Sequence, residues 1–504
     1  MNESIAIVGA GIAGMCTALA LAKQNNRVTI FERDIPPPEG DAEQAFFEWQ
    51  RRGAAQFRHP HAFLGLMCSL LEEHHPELLA EFFAAGARRL DFEDLVPPYL
   101  QDAYHPMPGD EKLWMLLCRR ATIETVLRRH VSQHPNITIT NSTYVTGVAL
   151  QKPVDEIHVS NANNTEPLTL AGVELTDRRN GNTKSIHQAD VIIDAAGRAS
   201  KFPNWFAAHG KNILEERDDA EIVYYTRHYK LKPGVSEPSR HENDPSAGDL
   251  GYMKYGVFPG DSGHFAIIIC LPNRETDLRT AVKDGDRFDA ICRTVPGLVP
   301  WIAEANAEPT TNAFGIGEIH AVWRDYSPNN VPTVLNFFAV GDSSVRTNPL
   351  YGRGCSTGIL HAQILAGVLQ EHKDATQRAQ AFQNLTNEQV RPIFDASLRE
   401  DKSGIRRAEA VMQGRSLDRA TSLKGWFRLA FGDALAAAVR DDIHIFRGMM
   451  RTVNLVEKPG EFLNDPKTRS KVLRYMLRGR KRNAKARVQR GLERGELLDI
   501  VQTL

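Results

Sequence analysis

The chain has 504 residues, enough for two or three domains, and 61 lysines and arginines against 62 aspartates and glutamates give it a formal net charge of -1. That balance offers no bulk attraction for nucleic acid or for an acidic partner. No run approaches the ~18 apolar residues of a membrane span, and only Met1-Asn2-Glu3 precede the first apolar run, so a cytoplasmic protein without a signal peptide is expected.

Ser4-Ile5-Ala6-Ile7-Val8 has the composition of a buried parallel strand, and Gly9-Ala10-Gly11-Ile12-Ala13-Gly14 then leads into a predicted helix over 13–23. Three glycines in this order permit a tight turn, close approach of a pyrophosphate and close packing of the helix, whose N-terminus favours an anion. A second strand, 27–31, ends at Glu32, about 20 residues beyond the glycines, where a carboxylate accepts ribose hydroxyls and disfavours a 2′-phosphate. FAD or NAD is therefore expected rather than NADP.

Residues 35–53, with Pro36-Pro37-Pro38, read as a loop with a short helix. Helices are predicted over 62–85 and 114–130, and strands over 137–150, 168–177 and 191–195. From about 220 to 320, β-rich runs such as Ile222-Val223-Tyr224-Tyr225-Thr226 and His264-Phe265-Ala266-Ile267-Ile268-Ile269 alternate with Pro/Gly turns, which predicts a separate sheet layer. A buried strand over 334–340 and a helix over 358–372 follow, with helical patterning from about 376 onward. Between that strand and helix stand Gly341-Asp342-Ser343 and Asn348-Pro349-Leu350-Tyr351-Gly352-Arg353-Gly354, more than 300 residues from the first glycines. Two such motifs describe one site closing on both ends of a long dinucleotide, which favours FAD over NAD.

The six cysteines, Cys16, Cys68, Cys118, Cys270, Cys292 and Cys355, lack CxxC or metal-ligand spacing and are expected to be reduced thiols. The N-x-S/T triplets at Asn136, Asn141 and Asn163 are then chance matches. Near the C-terminus, Trp426-Phe427-Arg428-Leu429-Ala430-Phe431 opens an amphipathic segment running to Val439, and 467–494 is basic, with Arg478, Arg480, Lys481, Arg482, Lys485 and Arg487. Such a helix lies on an anionic membrane, faces solvent or pairs with a second copy; the near-neutral total argues against nucleic acid.

The glycine-rich βαβ unit, Gln56-Phe57-Arg58-His59, Arg120-Ala121-Thr122-Ile123-Glu124, Asp194-Ala195-Ala196-Gly197-Arg198-Ala199-Ser200, and Gly341-Asp342 with Asn348-Pro349 come in a telling order. That order resembles the FAD-dependent monooxygenase superfamily of the p-hydroxybenzoate hydroxylase fold. Within it the chain looks most like the branch of squalene-type and polyether epoxidases, flavin-dependent halogenases and geranylgeranyl reductases. The resemblance covers 1–34, 56–90, 113–130, 189–202 and 333–370. It implies an α/β protein with a glutathione-reductase-type, Rossmann-like FAD domain over 1–95, 113–203 and 320–375. An inserted mixed β-sheet substrate domain, 96–112 and 204–319, and a helical C-terminal region, 376–504, complete the implied organisation.

The cofactor-binding set implied by the resemblance is Gly9, Gly11, Gly14, Glu32, Arg33, Arg58, Arg120, Val145, Asp342, Pro349, Gly352, Gly354 and Cys355. Arg58 and Arg120 match arginines near the FAD phosphates and the ribityl or flavin region, and Asp342 matches a ribityl-binding aspartate. Pro349, Gly352 and Gly354 match the segment beside the isoalloxazine ring, where N–H groups at a helix start stabilise negative charge on reduced flavin.

One departure concerns electron supply. Aromatic hydroxylases of this fold carry an Asp-Gly pair where this chain has Ala196-Gly197, with Asp194 displaced upstream, and no second GxGxxG unit is present. NAD(P)H, a partner reductase and a donor of reduced flavin all remain open as electron sources. The first reading is a monooxygenase using O2 and a flavin C4a-hydroperoxide on a lipophilic or aromatic small molecule such as a terpenoid, polyketide or phenolic. A halogenase, a geranylgeranyl-reductase-like ene-reductase and a non-enzymic binding protein resembling dissociation inhibitors are the alternatives. The halogenase motif WxWxIP is absent: Trp114 precedes Met115-Leu116-Leu117, and Trp323 precedes Arg324-Asp325-Tyr326. His59, His61, Tyr104, His105, Tyr225, His228 and Tyr351 are polar candidates for the pocket, and spacing singles out none of them as catalytic.

Overall fold

The computed structural model describes residues 2–151, 166–177, 182–239, 244–415, 422–486 and 491–503; Asn163 and Arg487 lie outside them. Five parallel strands form the central sheet, in the order Phe337–Ala339, Val191–Asp194, Ser4–Val8, Arg27–Phe31, Ile137–Thr140. Val191–Asp194 and nearly all of Ser4–Val8 are buried, as continuous apolar runs at a sheet centre require. The helix Ile12–Ala22 packs on this sheet and against the helix Arg353–Glu371. Gly358 makes that approach close, because a side-chain carbon there would lie 3.1 Å from Ala13 Cβ.

On the opposite face sits a smaller sheet of Thr143–Leu150, Leu168–Asp177, Thr183–Gln188 and Val334–Leu335. A third, antiparallel sheet is built on Ile222–Leu231 and His264–Pro272, flanked by Lys254–Pro259, Ala247–Asp249, Ala307–Pro309 and Phe314–Ile316. Side chains alternate across it. Val223, Tyr225, Tyr229, Phe265, Ile267 and Ile269 point into a core with the helices of 276–302 and with Leu497 and Val501 of the last helix, Arg494–Gln502. Ile222, Tyr224, Ile268 and Cys270 point the other way, toward Leu350.

Local chemistry explains where the structure departs from the sequence reading. The helix expected over 62–85 is two, Gly65–His74 and Pro76–Ala84, because the Pro76 ring excludes the helical conformation at His75 (φ -141°, ψ 53°). The segment 114–130 begins with a strand, Met115–Leu117, paired with Arg88–Leu90, and turns helical only at Arg120–Gln133. The run 137–150 splits at Ser142 and the run 334–340 at Asn336, both with positive φ, so that each sends its two halves to different sheets. Asn336 is held there by its Nδ2 donating to Leu170 O at 3.1 Å. The helix expected over 358–372 starts earlier, at Arg353. The basic stretch is no single helix: Pro466–Leu477 stops before Gly479, a glycine at φ 84°.

All six cysteines are free thiols and five are buried, with burial pushing Cys355 up to about 11 and Cys16 up to about 12. Among the described residues no helix is long and apolar enough to cross a membrane, and no group of side chains has a metal-ligand arrangement.

Candidate functional site

The three N-terminal glycines have three different surroundings. Gly9 adopts φ +108°, and a side-chain carbon there would lie 2.5 Å from Ala195 O, where the first turn crosses the end of Val191–Asp194. At Gly14 such a carbon would lie 2.1 Å from Gly9 O. At Gly11, in an ordinary extended conformation, nothing lies within 4 Å. Two glycines are thus required by the protein itself, and the third faces open space beside a helix N-terminus that no side chain caps. Room and unpaired N–H groups in one place suit a phosphate.

Glu32 is only 3 % exposed. Its carboxylate accepts from Ala10 N and from Asp34 N, each at 2.9 Å, and so holds the glycine loop against the second strand. Arg51 spans the same region. Its Nη2 donates to Ala10 O at 2.8 Å, its Nη1 lies 2.9 Å from Asp34 and 3.0 Å from Glu32, and its Nε donates to Glu124 at 2.8 Å. Glu124 is fully buried; burial alone would raise it, and Arg120 and Arg51 instead lower it to about 2. Arg120 donates to the second oxygen of Glu124 at 2.5 Å and reaches His61 Nε2 at 2.9 Å. One buried polar chain therefore runs from the glycine loop through Arg51, Glu124 and Arg120 to His61.

Three histidines line the far end. His61 Nδ1 meets His59 O at 2.8 Å, His59 Nδ1 meets Thr226 Oγ1 at 2.8 Å, and His228 Nε2 meets Arg58 O at 2.9 Å. Burial pulls His59 down to about 4 and His228 down to about 3; burial together with Arg120 does the same to His61. All three are neutral at pH 7, so this wall hydrogen-bonds without adding charge.

The second motif meets the first across the sheet. Asp194 accepts from Ala196 N at 3.0 Å, from Ser200 and from Ser343 Oγ at 3.0 Å, and Ser343 Oγ accepts from Gly197 N at 2.7 Å. Asp194 thereby ties the Ala196-Gly197 turn to Gly341-Asp342 and is wholly internal. The neighbouring Asp342 accepts no hydrogen bond from a described residue, and burial holds its carboxyl above the usual range against Arg346, Arg120 and Arg198. Its Oδ1 lies 3.7 Å from where a side chain at Gly354 would begin. Gly352 adopts φ +67° against Ala62 and starts the helix Arg353–Glu371, again with no side-chain cap. An open Gly11, an unpaired Asp342 carboxylate and two uncapped helix N-termini fit an extended dinucleotide.

The remaining expected residues sit in several places. Arg58 donates to Phe46 O at 3.0 Å and Phe47 O at 2.8 Å and sits over Phe314, on the side of the third sheet rather than the glycine loop. The side chain of Arg33 is 39 % exposed and donates to Arg52 O. Val145 packs under the second sheet beside a register shift, and Pro349 opens the turn Pro349–Tyr351. Cys355 lies one residue past Gly354 in the first turn of the following helix. Tyr225 belongs to the core behind the third sheet, Tyr104 meets Phe92 edge to face, and His105 O accepts from Arg447. Arg51 escaped the sequence reading because its partners stand 17 to 73 positions away in an irregular segment.

Residues 4–109 match the family described as DAO, FAD dependent oxidoreductase. Protein Rv3254 of Mycobacterium tuberculosis is 26 % identical over 395 residues, 74 % of either chain. PqsL of Pseudomonas aeruginosa, a probable FAD-dependent monooxygenase, superposes with a TM-score of 0.58 at 16 % identity, over 82 % of this chain and 100 % of its own. The flavin-dependent brominase Bmp2 does so with a TM-score of 0.59 at 13 % identity, over 95 % and 100 %. The chain is an FAD-dependent oxidoreductase, with the fold of the flavin-dependent monooxygenases.

Proposed function

We propose that this oxidoreductase is a monooxygenase that hydroxylates or epoxidises an apolar or aromatic small molecule. The observation that carries the reading is an apolar, half-open cleft on the face of the third sheet that is turned toward the 348–351 loop. Ligand pockets are typically apolar in this way, with few polar groups. Bound FAD would supply the redox chemistry with O2. The chain's own part is to accept ribityl hydroxyls at Asp342, to leave Gly11 open to phosphate, and to direct the N–H groups at Gly352–Gly354 toward negative charge on the ring. The neutral wall of His59, His61 and His228 keeps competing charge from the reacting centre.

Asp194 bears on the electron source. Because its carboxylate is consumed inside the fold and Ala196 carries no acid, a separate reductase or a donor of reduced flavin fits better than direct NADPH reduction. NADPH alone is expected to leave the flavin oxidised, while photoreduction bleaches it. On mixing the reduced protein with O2, reoxidation should pass through a spectrally distinct transient that free flavin lacks. Immediate reoxidation would instead favour the ene-reductase reading, and a product that gains bromine or chlorine in halide buffer would favour the halogenase.

A lipophilic substrate also suits contact with a membrane surface. On the helix Leu423–Asp441, Leu423, Trp426, Phe427 and Phe431 are exposed at helical spacing, Leu423 to 75 %, and Lys424 and Arg428 flank them. Co-sedimentation should be stronger with phosphatidylserine vesicles than with phosphatidylcholine vesicles. Trp426→Ser with Phe427→Ser should weaken it by about tenfold or more. Equal sedimentation of wild type and variant would remove the membrane role.

A further inference from the structure

The apolar cleft has one unmatched polar group. Its walls are Ile222 of the third sheet, Met253, Leu350, and Ile405, Ala408 and Met412 of the helix Arg391–Met412. Asp401, on the same helix, also lines it and is 7 % exposed. Both hydrogen bonds to this carboxyl fall on one oxygen: Asn348 Nδ2 donates to Oδ1 at 2.6 Å and the Tyr351 hydroxyl donates to it at 2.8 Å. The other oxygen, Oδ2, is shielded from solvent and has no partner.

The remaining charges around the cleft are committed to one another. Lys254 Nζ lies 3.6 Å from Asp249, and Arg274 bridges Glu409 at 3.0 Å and Glu221 at 3.5 Å. Leaving a buried carboxyl oxygen unpaired is costly, and groups of that kind in folded proteins call for a bound partner. Nor can Asp401 swing freely to find one, since Asn348 is itself held by the Tyr224 hydroxyl from the third sheet. Burial keeps the Asp401 carboxyl above the usual range despite Asn348 and Tyr351.

The geometry points to Asp401 as the anchor of the substrate: an apolar or aromatic molecule with a single hydroxyl or N–H head group, which donates to Oδ2 while its body fills the cleft. This rests on the cleft being the substrate site of the monooxygenase proposed above. Tyr351 immediately precedes Gly352, so Asp401 stands one hydrogen bond from the segment assigned to the ring edge. A carboxylate ligand is disfavoured, because it would place two acids side by side.

Calorimetric titration of the purified full chain with thymol and with p-cymene, which differ by one hydroxyl, tests the anchor without any turnover. Wild type should prefer thymol by about tenfold or more, the scale of a hydrogen bond to a carboxylate. Asp401→Ala should bring the two affinities together, and Ile405→Trp, which fills the cleft, should weaken both. Equal affinities in wild type, a preference that survives Asp401→Ala, or unchanged binding in Ile405→Trp would each overturn the assignment. Failure of the monooxygenase reading would show in the oxygen-mixing experiment instead and leave these binding ratios untouched.

Discussion

Gly11→Val should fold like the wild type and emerge without flavin. Gly11 has φ -83°, which any residue tolerates, and no atom lies within 4 Å of the position a β-carbon there would occupy. The added side chain therefore meets only the ligand. A loss of FAD affinity of about 100-fold or more, or about 2.7 kcal/mol, is expected from excluding the pyrophosphate. Gly14→Ala should do the reverse. Its new carbon would lie 2.1 Å from Gly9 O, and overpacking of that kind costs about 1–3 kcal/mol or more in stability. Comparing circular dichroism, thermal unfolding and bound flavin in the two variants separates a ligand-facing glycine from a packing glycine. If Gly11→Val retained FAD with wild-type affinity, the phosphate would have to sit elsewhere.

Arg51→Met should be the most destabilising single change at the site, by about 3–5 kcal/mol, because it leaves buried carboxylates without their shared partner. Glu124 would retain Arg120, whereas Glu32 and Asp34 would lose the one guanidinium that bridges them. Arg33→Met is the control: its side chain is 39 % exposed and lies 4.0 Å from Asp34, so a change within about 0.5 kcal/mol is expected. Adding Asp34→Asn to Arg51→Met should recover part of the loss, because it removes one of the stranded charges.

Acid titration gives the same cluster a second signature. Glu124 is depressed from 4.5 to about 2, so the stability it contributes is fully present above pH 4.5 and is lost as pH falls toward 2. Glu43, depressed by His264 and then Arg119, and Asp261, depressed by Arg119, act in the same direction. Without Arg51, the Glu124 carboxyl moves upward toward its unfolded value, so less stability should be lost between pH 4.5 and 2 than in wild type. Chemical unfolding followed between pH 3 and 7 checks this, and superimposable curves would show that Arg51 does not set the ionisation of Glu124.

The parts of the fold that sequence revealed are those governed by local pattern. Residues 5–8 and 191–193 are apolar throughout because both faces of the central sheet are covered, and the strand-glycine-helix order at Gly9–Gly14 carries its own mechanical meaning. Errors fell where one residue overrides a periodic run. Ser142 and Asn336 take positive φ inside apolar stretches, and Pro76 divides a helix whose amphipathic pattern continues on both sides. At the site, Asp342 was visible from its place after a strand and a glycine. Arg51 and Asp401 were not. Arg51 gains its meaning from Ala10, Glu32, Asp34 and Glu124, which only folding assembles, and Asp401 reads in sequence as one more polar residue on a long helix.

The flavin content of the full chain tests the union of the two glycine motifs most directly. After incubation with excess FAD and removal of free flavin, the cofactor released on denaturation should be FAD, close to one per chain, and should be lost in Gly11→Val. A correctly folded wild-type chain that retains no FAD under these conditions would contradict it.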